Sequence, residues 1–562
     1  MDALHRCIPS GNAASKAISE AEAALEKAGA KEARVTKARE GFGDLAFPCF
    51  ALAKEKGKTP QDVAEELAKK IKLPRFFSEA QAQAGFVNFV FSDAFYEEAL
   101  SGIAAGFGKG TSRKGDVICI DYSSPNVGKP LHIGHIRSTV LGDAIKRLLE
   151  FQGAAVVGSN YLCDAGKQTA MLMTALKHFG AKDIKTENDL LEYYVRIHKE
   201  IENSPELVEE ARRTLEKMEN GEKDVAALLK KVRTISVAPI HAAYKRLGVS
   251  FDEELYDSDL VDDAKKMASE AVGKDVAKKE AEGETVVILE PALPNFVVLR
   301  SNGTTLYSTR DLALADYRFK KHHFKESVYV TASEQNLHFK QVFETLRRMG
   351  RAYSLKHIGF GLIFLQGMKK LSTREGKVLL LDEVLDECVA AARKEVEGRE
   401  HAANAAKTAE EIGLGSLKFA VLRVTPEKNI VFDPKAVTAF EGFTGAYVQY
   451  TVVRTNGIMG KAGKMTAVAP KNAKFDEHER AIISALASFP QVCEESARNM
   501  QPHVLCDYLL TVASKFSAFY ANCPVLQADG KEREKRLAIV RATKTVLEQG
   551  LSLLGIKAPE KM

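Results

Sequence analysis

The residues best suited to chemistry are two histidines, His132 and His135, with a lysine, Lys129, just before them. They follow a run of β-forming residues at 117–122 and a polar turn, and they precede apolar residues at helical spacing. Pro130 suits the first helical position, where its missing N–H costs nothing. The first N–H groups of a helix have no partner within the helix and lie at the positive end of its dipole. Two imidazoles and an ammonium beside such groups predict a triphosphate site rather than a simple carboxylate site.

Other interpretations of this stretch stay open from its own residues. Many strand–loop–helix joints bind nothing, and paired histidines are often surface or capping residues. Gly134, between the histidines, leaves room for a flat ligand to approach the backbone. The glycine spacing matches neither the dinucleotide-binding pattern nor the P-loop pattern. No cysteine or carboxylate cluster lies nearby at ligand spacing, which disfavours zinc, and we assign no residue as a metal ligand.

The elements that must position this cluster form a α/β domain. Strands and helices alternate over 111–380, which predicts a Rossmann-like, mostly parallel sheet with its ligands at the carboxyl ends of the strands. Residues 180–250 are charged and helical and predict an insertion on this sheet. A small N-terminal α/β domain is predicted at 1–110, a helical junction at 381–440, and an all-α helical bundle at 441–562.

The whole chain excludes several classes of protein. Its 562 residues suffice for three or four domains at about 150 residues each. Lys and Arg number 80 against 75 Asp and Glu, so any nucleic-acid site must be local. The 8 cysteines contain no C-x-x-C pair, which fits a reducing cytoplasm. There is no signal segment and no apolar run of about 18 residues, so we expect a cytoplasmic protein without a membrane span.

A second group of cations follows the last predicted strand. Lys370, Ser372 and Arg374 lie in a basic loop flanked by glycines. Cations on such a loop can follow charge as it develops on a transferring phosphate. A solvated surface loop is the alternative, because runs of charge are usually solvated.

Together the two stretches resemble the HIGH and KMSKS signatures of class I aminoacyl-tRNA synthetases. Residues 124–139 look specifically like an arginyl-tRNA synthetase. Further matches occur in the order of that family along nearly the whole chain. They are Tyr307-x-x-x-Asp311, Gln335-x-x-His338, Tyr447-x-Gln449-Tyr450-x-x-x-Arg454 and the ending 554–562.

The resemblance implies an arginine–tRNA ligase that uses ATP, Mg²⁺, L-arginine and tRNA(Arg). Arginine would be activated to arginyl-adenylate with release of pyrophosphate and then passed to the 3′-terminal ribose of the tRNA. The family also implies a monomer. By resemblance, the catalytic residues are Lys129, His132, His135, Lys370 and Arg374, and ATP is bound by His132, Gly134, His135 and Ser372. The arginine site takes Asn126, Asp257, Tyr307, Asp311 and Gln335, and the tRNA surface takes Tyr447, Gln449, Arg454 and Met562.

Two departures from the family pattern bear on these roles. The second signature has Leu371 where methionine is usual and Thr373 where its second lysine would be. In the family, a lysine just before the first histidine motif can compensate, and Lys129 occupies that place. Asp257 stands where related sequences usually carry glutamate. A guanidinium favours a bidentate carboxylate, and Asp311 is the better candidate for that role.

Two alternative functions remain at the level of the sequence. A tRNA-independent nucleotidyltransferase would share the histidine-rich loop and the sheet, but it would not need the helical tail, where 16 Lys and Arg outnumber 12 Asp and Glu over 441–562. A catalytically decayed RNA-binding paralogue would not need His132, His135 or Asp311, all of which are present.

Overall fold

A computed structural model gives the arrangement of most of the chain. Of the predicted site residues, Lys370, Ser372, Arg374 and Met562 lie outside the part that it describes. The described residues are 12–39, 41–365, 380–397, 405–440, 442–463 and 470–561.

The N-terminal α/β module packs helices on an antiparallel sheet of order β1-β2-β4-β3. The helix Pro60–Lys70 begins as its sequence favours, with Pro60 in the first turn and Thr59 Oγ1 accepting the Asp62 N–H at 3.2 Å. The elements are α1 (Ala13–Ala28), β1 (Thr36–Lys37), β2 (Leu45–Pro48), α2 (Phe50–Lys56), α3 (Pro60–Lys70), β3 (Phe77–Gln83), β4 (Phe86–Phe91) and α4 (Asp93–Gly102).

The middle of the chain builds the predicted parallel sheet. Its strands are β5 (Val117–Asp121), β6 (Ala155–Leu162), β7 (Glu253–Tyr256), β11 (Glu326–Ala332) and β12 (Leu355–Phe360), and a small antiparallel sheet holds β8 (Ala277–Lys279), β9 (Thr285–Val287) and β10 (Phe296–Leu299). All pairings in the five-stranded sheet are parallel, in the order β12-β11-β5-β6-β7. The chain adds β6 and β7 on one side of β5 and then β11 and β12 on the other. Such a reversal opens a crevice at the carboxyl ends of β5 and β11.

Helices cover the sheet and form the insertion predicted at 180–250, which is α7 to α9. They are α5 (Ile133–Phe151), α6 (Lys167–His178), α7 (Glu187–Glu200), α8 (Glu206–Glu219), α9 (Lys223–Leu247), α10 (Val261–Gly273), α11 (Tyr307–His322) and α12 (Asn336–Arg348), with short 3₁₀ turns at Asp257–Leu260 and Ser333–Gln335.

From residue 363 onward, the described residues form helices apart from one short parallel strand pair. The elements are β13 (Ile363–Leu365), α13 (Leu381–Val396), α14 (Ala405–Arg423), β14 (Ile430–Phe432), α15 (Pro434–Val437), α16 (Gly445–Ala462), α17 (Glu477–Ala487), α18 (Phe489–Asn499), α19 (Pro502–Asn522) and α20 (Gly530–Leu553). The apolar face of α19 is core, because Leu505, Leu509, Val512, Phe516 and Phe519 are fully buried. No helix within the described residues is long and apolar enough to cross a membrane.

A buried lysine joins the end of the chain to the catalytic domain. Lys418 Nζ, on α14, donates to the carbonyl of Gly555 at 2.7 Å and to the carbonyl of Leu247 at the end of α9. Burial lowers the pKa of Lys418 to about 8. A Cβ added at Gly555 would lie 2.7 Å from the Asp143 carboxylate of α5, so the tail passes close to that helix.

Helix α5 approaches β5 closely because Gly142 has no side chain. A Cβ added there would lie 2.2 Å from Cβ of Tyr122, which is fully buried and donates its hydroxyl to the carbonyl of Ser250 at 2.9 Å. Since the backbone around Tyr122 is fixed by the sheet, the contact leaves no room for alanine.

We expect Gly142→Ala to lower the free energy of unfolding by about 1–3 kcal/mol through overpacking. Gly457→Ala is the matched control, because a Cβ on that exposed residue of α16 meets no atom within 4 Å. It should raise the free energy of unfolding by about 0.5–1 kcal/mol. Urea unfolding of both variants measures the difference, and equal effects would contradict the close approach.

Candidate active site

The two histidines form a cap at the start of α5. The helix begins at Ile133, so the prediction that Pro130 is its first residue is wrong. His132 is the N-cap, and its Nδ1 accepts the N–H of Gly134 at 3.1 Å. The Nδ1 of His135 accepts the N–H of His132 at 3.0 Å, and the two ring centroids lie 3.9 Å apart.

These bonds change the chemistry predicted for the helix start. The N–H groups of His132 and Gly134, predicted to be free for an anion, are bonded to imidazole nitrogens. Because each Nδ1 accepts a hydrogen bond, the ring hydrogen of each neutral histidine must lie on Nε2. The histidines therefore replace the backbone N–H groups as hydrogen-bond donors.

Both imidazoles are neutral at physiological pH. Burial, with the nearby Lys129 ammonium, lowers the pKa of His132 to about 4. Burial, the neighbouring His132 ring and Lys129 together hold the pKa of His135 well below its usual range. The cluster thus offers neutral N–H donors, and the positive charge beside them belongs to Lys129.

Gly134 is required for a reason other than the one predicted. A Cβ at this position would lie 2.8 Å from Cε1 and 2.9 Å from Nδ1 of His132. The space predicted for a flat ligand is thus occupied by the His132 ring itself.

Lys129 is held by elements that follow it in the chain. Its Nζ donates to Oε1 of Gln168, in the first turn of α6, at 3.0 Å and lies 4.0 Å from the ring centroid of Tyr194 on α7. The helical insertion therefore contributes Tyr194 to the candidate site. Sequence analysis missed Tyr194, because nothing in a charged helical segment marks one tyrosine for this contact.

The histidine segment also holds the residues that flank the second predicted signature. The Leu381 N–H donates to the Leu131 carbonyl at 2.9 Å. Arg137 Nη2, on α5, donates to the Thr425 and Pro426 carbonyls at 3.1 and 2.8 Å, just before β14, which pairs with β13. The described chain on both sides of 366–379 is thus anchored to the same segment.

A second group of side chains lies at the switch in strand order. Tyr307, the first residue of α11, is 63% exposed, and Asp311 follows one turn later. His338, from α12, places its Nε2 2.6 Å from Asp311 Oδ2 and its ring centroid 4.8 Å from that of Tyr307. Tyr307 and Asp311, which we predicted to act as a pair, thus both contact His338. The structure adds His338, which the Gln335-x-x-His338 motif had signalled without a role.

The remaining predicted arginine ligands lie at the ends of two strands. Asn126 is exposed in the loop after β5, held by the bond from the Val127 N–H to the Cys163 carbonyl at 3.0 Å. Gln335 is exposed in the 3₁₀ turn that follows β11. Burial raises the pKa of the Cys163 thiol, and the charges of Asp257 and Asp311 raise it further, so both carboxylates lie near the end of β6.

Asp257 does not have the role predicted for it. It is buried, its Oδ1 accepts the N–H groups of Asp164 at 2.8 Å and of Ala165, and its Oδ2 lies 3.1 Å from Nε of Arg310. Both carboxylate oxygens are therefore bonded within the protein. The guanidinium that Asp257 binds belongs to Arg310, and we remove Asp257 from the proposed substrate contacts.

Arg310 is the centre of a network that fixes the start of α11. Its Nη1 donates to Oγ1 of Thr305 at 2.8 Å and its Nη2 to the carbonyl of Ala165 at 2.8 Å. Thr305 is also held by the buried Glu219 carboxylate, at the end of α8. The network therefore connects β6, the insertion and α11, and so it positions Tyr307 and Asp311.

The predicted tRNA-binding residues have different surroundings. Gln449 is fully buried, and its Nε2 donates to the carbonyls of Glu411 and Lys557 at 2.9 and 2.6 Å. Its amide nitrogen is therefore used within the protein, and the predicted contact with RNA is not supported. Tyr447 is half-buried, with its hydroxyl 2.9 Å from Oγ of Ser517.

Arg454 lies in a group of aromatic side chains. Its guanidinium carbon is 4.9 Å from the ring centroid of Tyr450 and 5.5 Å from that of Tyr520, which is 43% exposed. Nearby in sequence, Phe443 is 73% exposed beneath the guanidinium of Arg423. Sequence analysis missed Tyr520 and Phe443, because helical periodicity distinguishes buried faces and not exposed aromatic groups.

Three family models match the chain in order. The arginyl tRNA synthetase N-terminal domain matches residues 12–91, and the catalytic domain of class I (R) tRNA synthetases matches residues 101–433. The DALR anticodon binding domain matches residues 448–562.

Curated relatives and a solved structure match nearly the full length. An arginine–tRNA ligase of Exiguobacterium sibiricum is 38% identical over 537 residues, covering 93% of this chain and 94% of the relative. An arginine–tRNA ligase of Lactobacillus johnsonii is 38% identical over 531 residues, with the same coverage. The structure of Thermus thermophilus arginyl-tRNA synthetase superposes with a TM-score of 0.82 at 30% identity, covering 98% of this chain and 100% of that one.

The Arg310 network allows a test of stability. Arg310→Met leaves the buried Asp257 carboxylate without its cation, and we expect the free energy of unfolding to fall by about 3–5 kcal/mol. Lys177→Met, which removes the cation of the exposed Lys177–Asp224 pair, is the control and should not shift the urea midpoint. An Arg310 variant as stable as the control variant would show that the network does not hold the domain together.

Proposed function

The chain belongs to the class I arginyl-tRNA synthetases, and on that premise we propose how its residues divide the work of an arginine–tRNA ligase. The enzyme joins the arginine carboxylate to the α-phosphate of ATP, releases pyrophosphate, and transfers arginine to the 3′-terminal ribose of tRNA(Arg). A tRNA-independent nucleotidyltransferase is set aside, because residues 448–562 match an anticodon-binding family. One observation supports this division of roles. The neutral histidine pair and the group of Tyr307, Asp311 and His338, here called the Asp311 group, both lie at the switch in strand order.

The histidine pair forms the ATP half of the proposed site. The Nε2–H groups of His132 and His135 donate to phosphate oxygens as negative charge shifts from the α-phosphate to the leaving pyrophosphate. Their orientation is fixed before ATP binds, because both Nδ1 atoms are bonded to the backbone. Lys129 supplies the positive charge, and Gly134 keeps the rings in place. By the family signature, Lys370, Ser372 and Arg374 complete the ATP half of the site. The described segments on either side of this signature are hydrogen-bonded to the segment that carries the two histidines.

The Asp311 group forms the arginine half. The Asp311 carboxylate accepts hydrogen bonds from the substrate guanidinium, and the exposed Tyr307 ring lies beside it. Asn126 and Gln335 bind the amino-acid end of the substrate from the loops after β5 and β11. This arrangement directs the arginine carboxylate toward the α-phosphate, and positioning and electrostatics supply the rate without a covalent nucleophile.

The C-terminal bundle binds tRNA in this proposal. The Tyr450, Arg454 and Tyr520 group offers aromatic rings and a guanidinium, which stack on unpaired bases. Tyr447 lies on the same helix, α16, and Met562 is carried over from the family pattern alone. The N-terminal domain, 1–110, contacts the tRNA by the same family analogy.

We propose that Mg²⁺ enters with ATP as part of the substrate. Among the described residues, the group with metal-ligand spacing is Asp476, Glu479 and Cys523 in the helical bundle, where Glu479 is already paired with Lys535 at 2.7 Å. The described part of the candidate active site therefore offers no carboxylate cage, and Mg²⁺ retains water and phosphate oxygens as ligands. When bound, it neutralises charge on the leaving phosphates. We also propose a cytoplasmic monomer.

The proposed reaction is tested by ATP–pyrophosphate exchange with each of the twenty amino acids. We expect exchange with L-arginine alone, and only when tRNA(Arg) is present, as is general in this family. Faster exchange with another amino acid would contradict the assignment of the pocket.

The compensation proposed for Lys129 has its own test. Lys129→Ala should reduce the exchange rate about 10- to 100-fold, the effect of removing one charged partner of a phosphate, while tRNA affinity stays unchanged. Adding Thr373→Lys to that variant should restore part of the rate. No recovery at all would show that Lys129 does not replace the missing lysine of the second signature.

A further inference from the structure

His338 contacts both residues that are proposed to hold the substrate guanidinium. Its Nε2 lies 2.6 Å from Oδ2 of Asp311, and the two side chains are 11% and 16% exposed. Its ring centroid lies 4.8 Å from that of Tyr307 at an interplanar angle of 58°. One imidazole thus fixes the carboxylate and the aromatic ring relative to each other.

The helix that carries His338 is firmly attached to the sheet. The next residue, Phe339, is buried and stacks on His357 of β12 at 4.6 Å and 23°. His357 in turn lies 2.8 Å from Oγ1 of Thr331 on β11. Burial, with a contribution from His338, lowers the pKa of His357 to about 4, so this ring is neutral and packs as an apolar group. The start of α12, which carries His338, is therefore held in place against the sheet.

The hydrogen bond determines which oxygen of Asp311 faces the substrate. A carboxylate is an acceptor only, so His338 must donate from Nε2, and Oδ2 is occupied. Within the described part of the chain, the structure gives Oδ1 no hydrogen-bond donor. A carboxylate held at one oxygen cannot rotate freely, and its other oxygen keeps a defined direction.

We propose that His338 is a positioning residue that sets the specificity of the pocket for a guanidinium by holding Asp311 in one orientation. The proposal rests on the function proposed above for Asp311. Arginine presents N–H donors to Oδ1, whereas citrulline, its neutral analogue of the same shape, has a urea oxygen in place of one donor group. A fixed Oδ1 opposes that oxygen, because two acceptors then face each other with no proton between them. A carboxylate that can rotate would avoid this repulsion between oxygens. Loss of the His338 bond therefore weakens arginine binding and lets the pocket accept citrulline.

Two substitutions of the same chemical type test this role. In His338→Gln, the amide nitrogen lies as many bonds from Cα as Nε2 of histidine does, so it can still donate to Asp311. In His338→Asn, the nitrogen lies one bond closer to the backbone and cannot reach. Both variants keep a polar amide on α12, and their melting temperatures are compared first with that of the unmodified enzyme.

We expect His338→Asn to raise the arginine KM in aminoacylation about 10- to 100-fold, the range for a lost hydrogen bond to a charged group, while the ATP KM changes less than about twofold. The ratio of the citrulline inhibition constant to the arginine KM should fall by a similar factor, which a general loosening of the domain would not cause. His338→Gln should restore both values to within about threefold of the unmodified enzyme. Equal values for the two variants, or an unchanged ratio in His338→Asn, would overturn the proposal.

The double variant separates failure of this proposal from failure of the pocket itself. If His338 acts through Asp311, then adding His338→Asn to Asp311→Asn has no further effect. The double variant and the Asp311→Asn variant should then have the same arginine KM. Multiplied effects would show that His338 acts independently of Asp311 and would overturn the positioning role alone. An Asp311→Asn enzyme with an unchanged arginine KM would overturn the proposed pocket, and the role of His338 with it.

Discussion

The active site depends on a guanidinium that belongs to the protein. Arg310 lies at the start of α11, where it pairs with Asp257 and donates to Ala165 and Thr305. These partners come from three separate places in the chain, so a single buried cation fixes the position of α11 against the sheet. Taking such a cation out of water is costly unless it is paired and hydrogen-bonded, and here each of its three nitrogens has an acceptor. The proposed substrate pocket lies next to this network, because Asp311 is one residue further along the helix.

The phosphate half of the site uses a different principle. A helix start ordinarily binds anions through its free N–H groups, whereas here His132 and His135 take up those groups and present their own ring N–H groups instead. An imidazole reaches further from the helix than the backbone does, and burial keeps it neutral. The donors are therefore directional without adding charge. The positive charge comes from a separate side chain, Lys129, whose Nζ donates to Gln168 and lies over the ring of Tyr194.

Local pattern predicted the fold well and the bonding partners poorly. The parallel sheet follows from alternating strands and helices, and the Thr59 cap follows from a short motif whose partner is three residues away. Pro130 lies two residues before the N-cap His132, so the preference of proline for the first helical position does not locate this helix start. The roles predicted for Asp257 and Gln449 come from the resemblance to the family, which matches positions and not contacts. Both are instead bonded to groups distant in sequence, and only the folded arrangement reveals such partners.

The contact between Lys418 and the Gly555 carbonyl makes the end of the chain part of the catalytic domain. Residue 557 is bonded to Gln449 on α16, so the same tail touches the bundle proposed to bind tRNA and the helix that begins with the two histidines. Thermodynamic linkage between two sites is reciprocal: if a ligand at one site changes the affinity at the other, the second ligand changes the affinity of the first by the same factor. If tRNA binding to the bundle and ligand binding at the N-terminus of α5 favour the same position of the tail, each binding event strengthens the other. Residues 555–557 thus contact both the helix that begins with the two histidines and the bundle that we propose to bind tRNA, so a shift of this short segment would be felt at both.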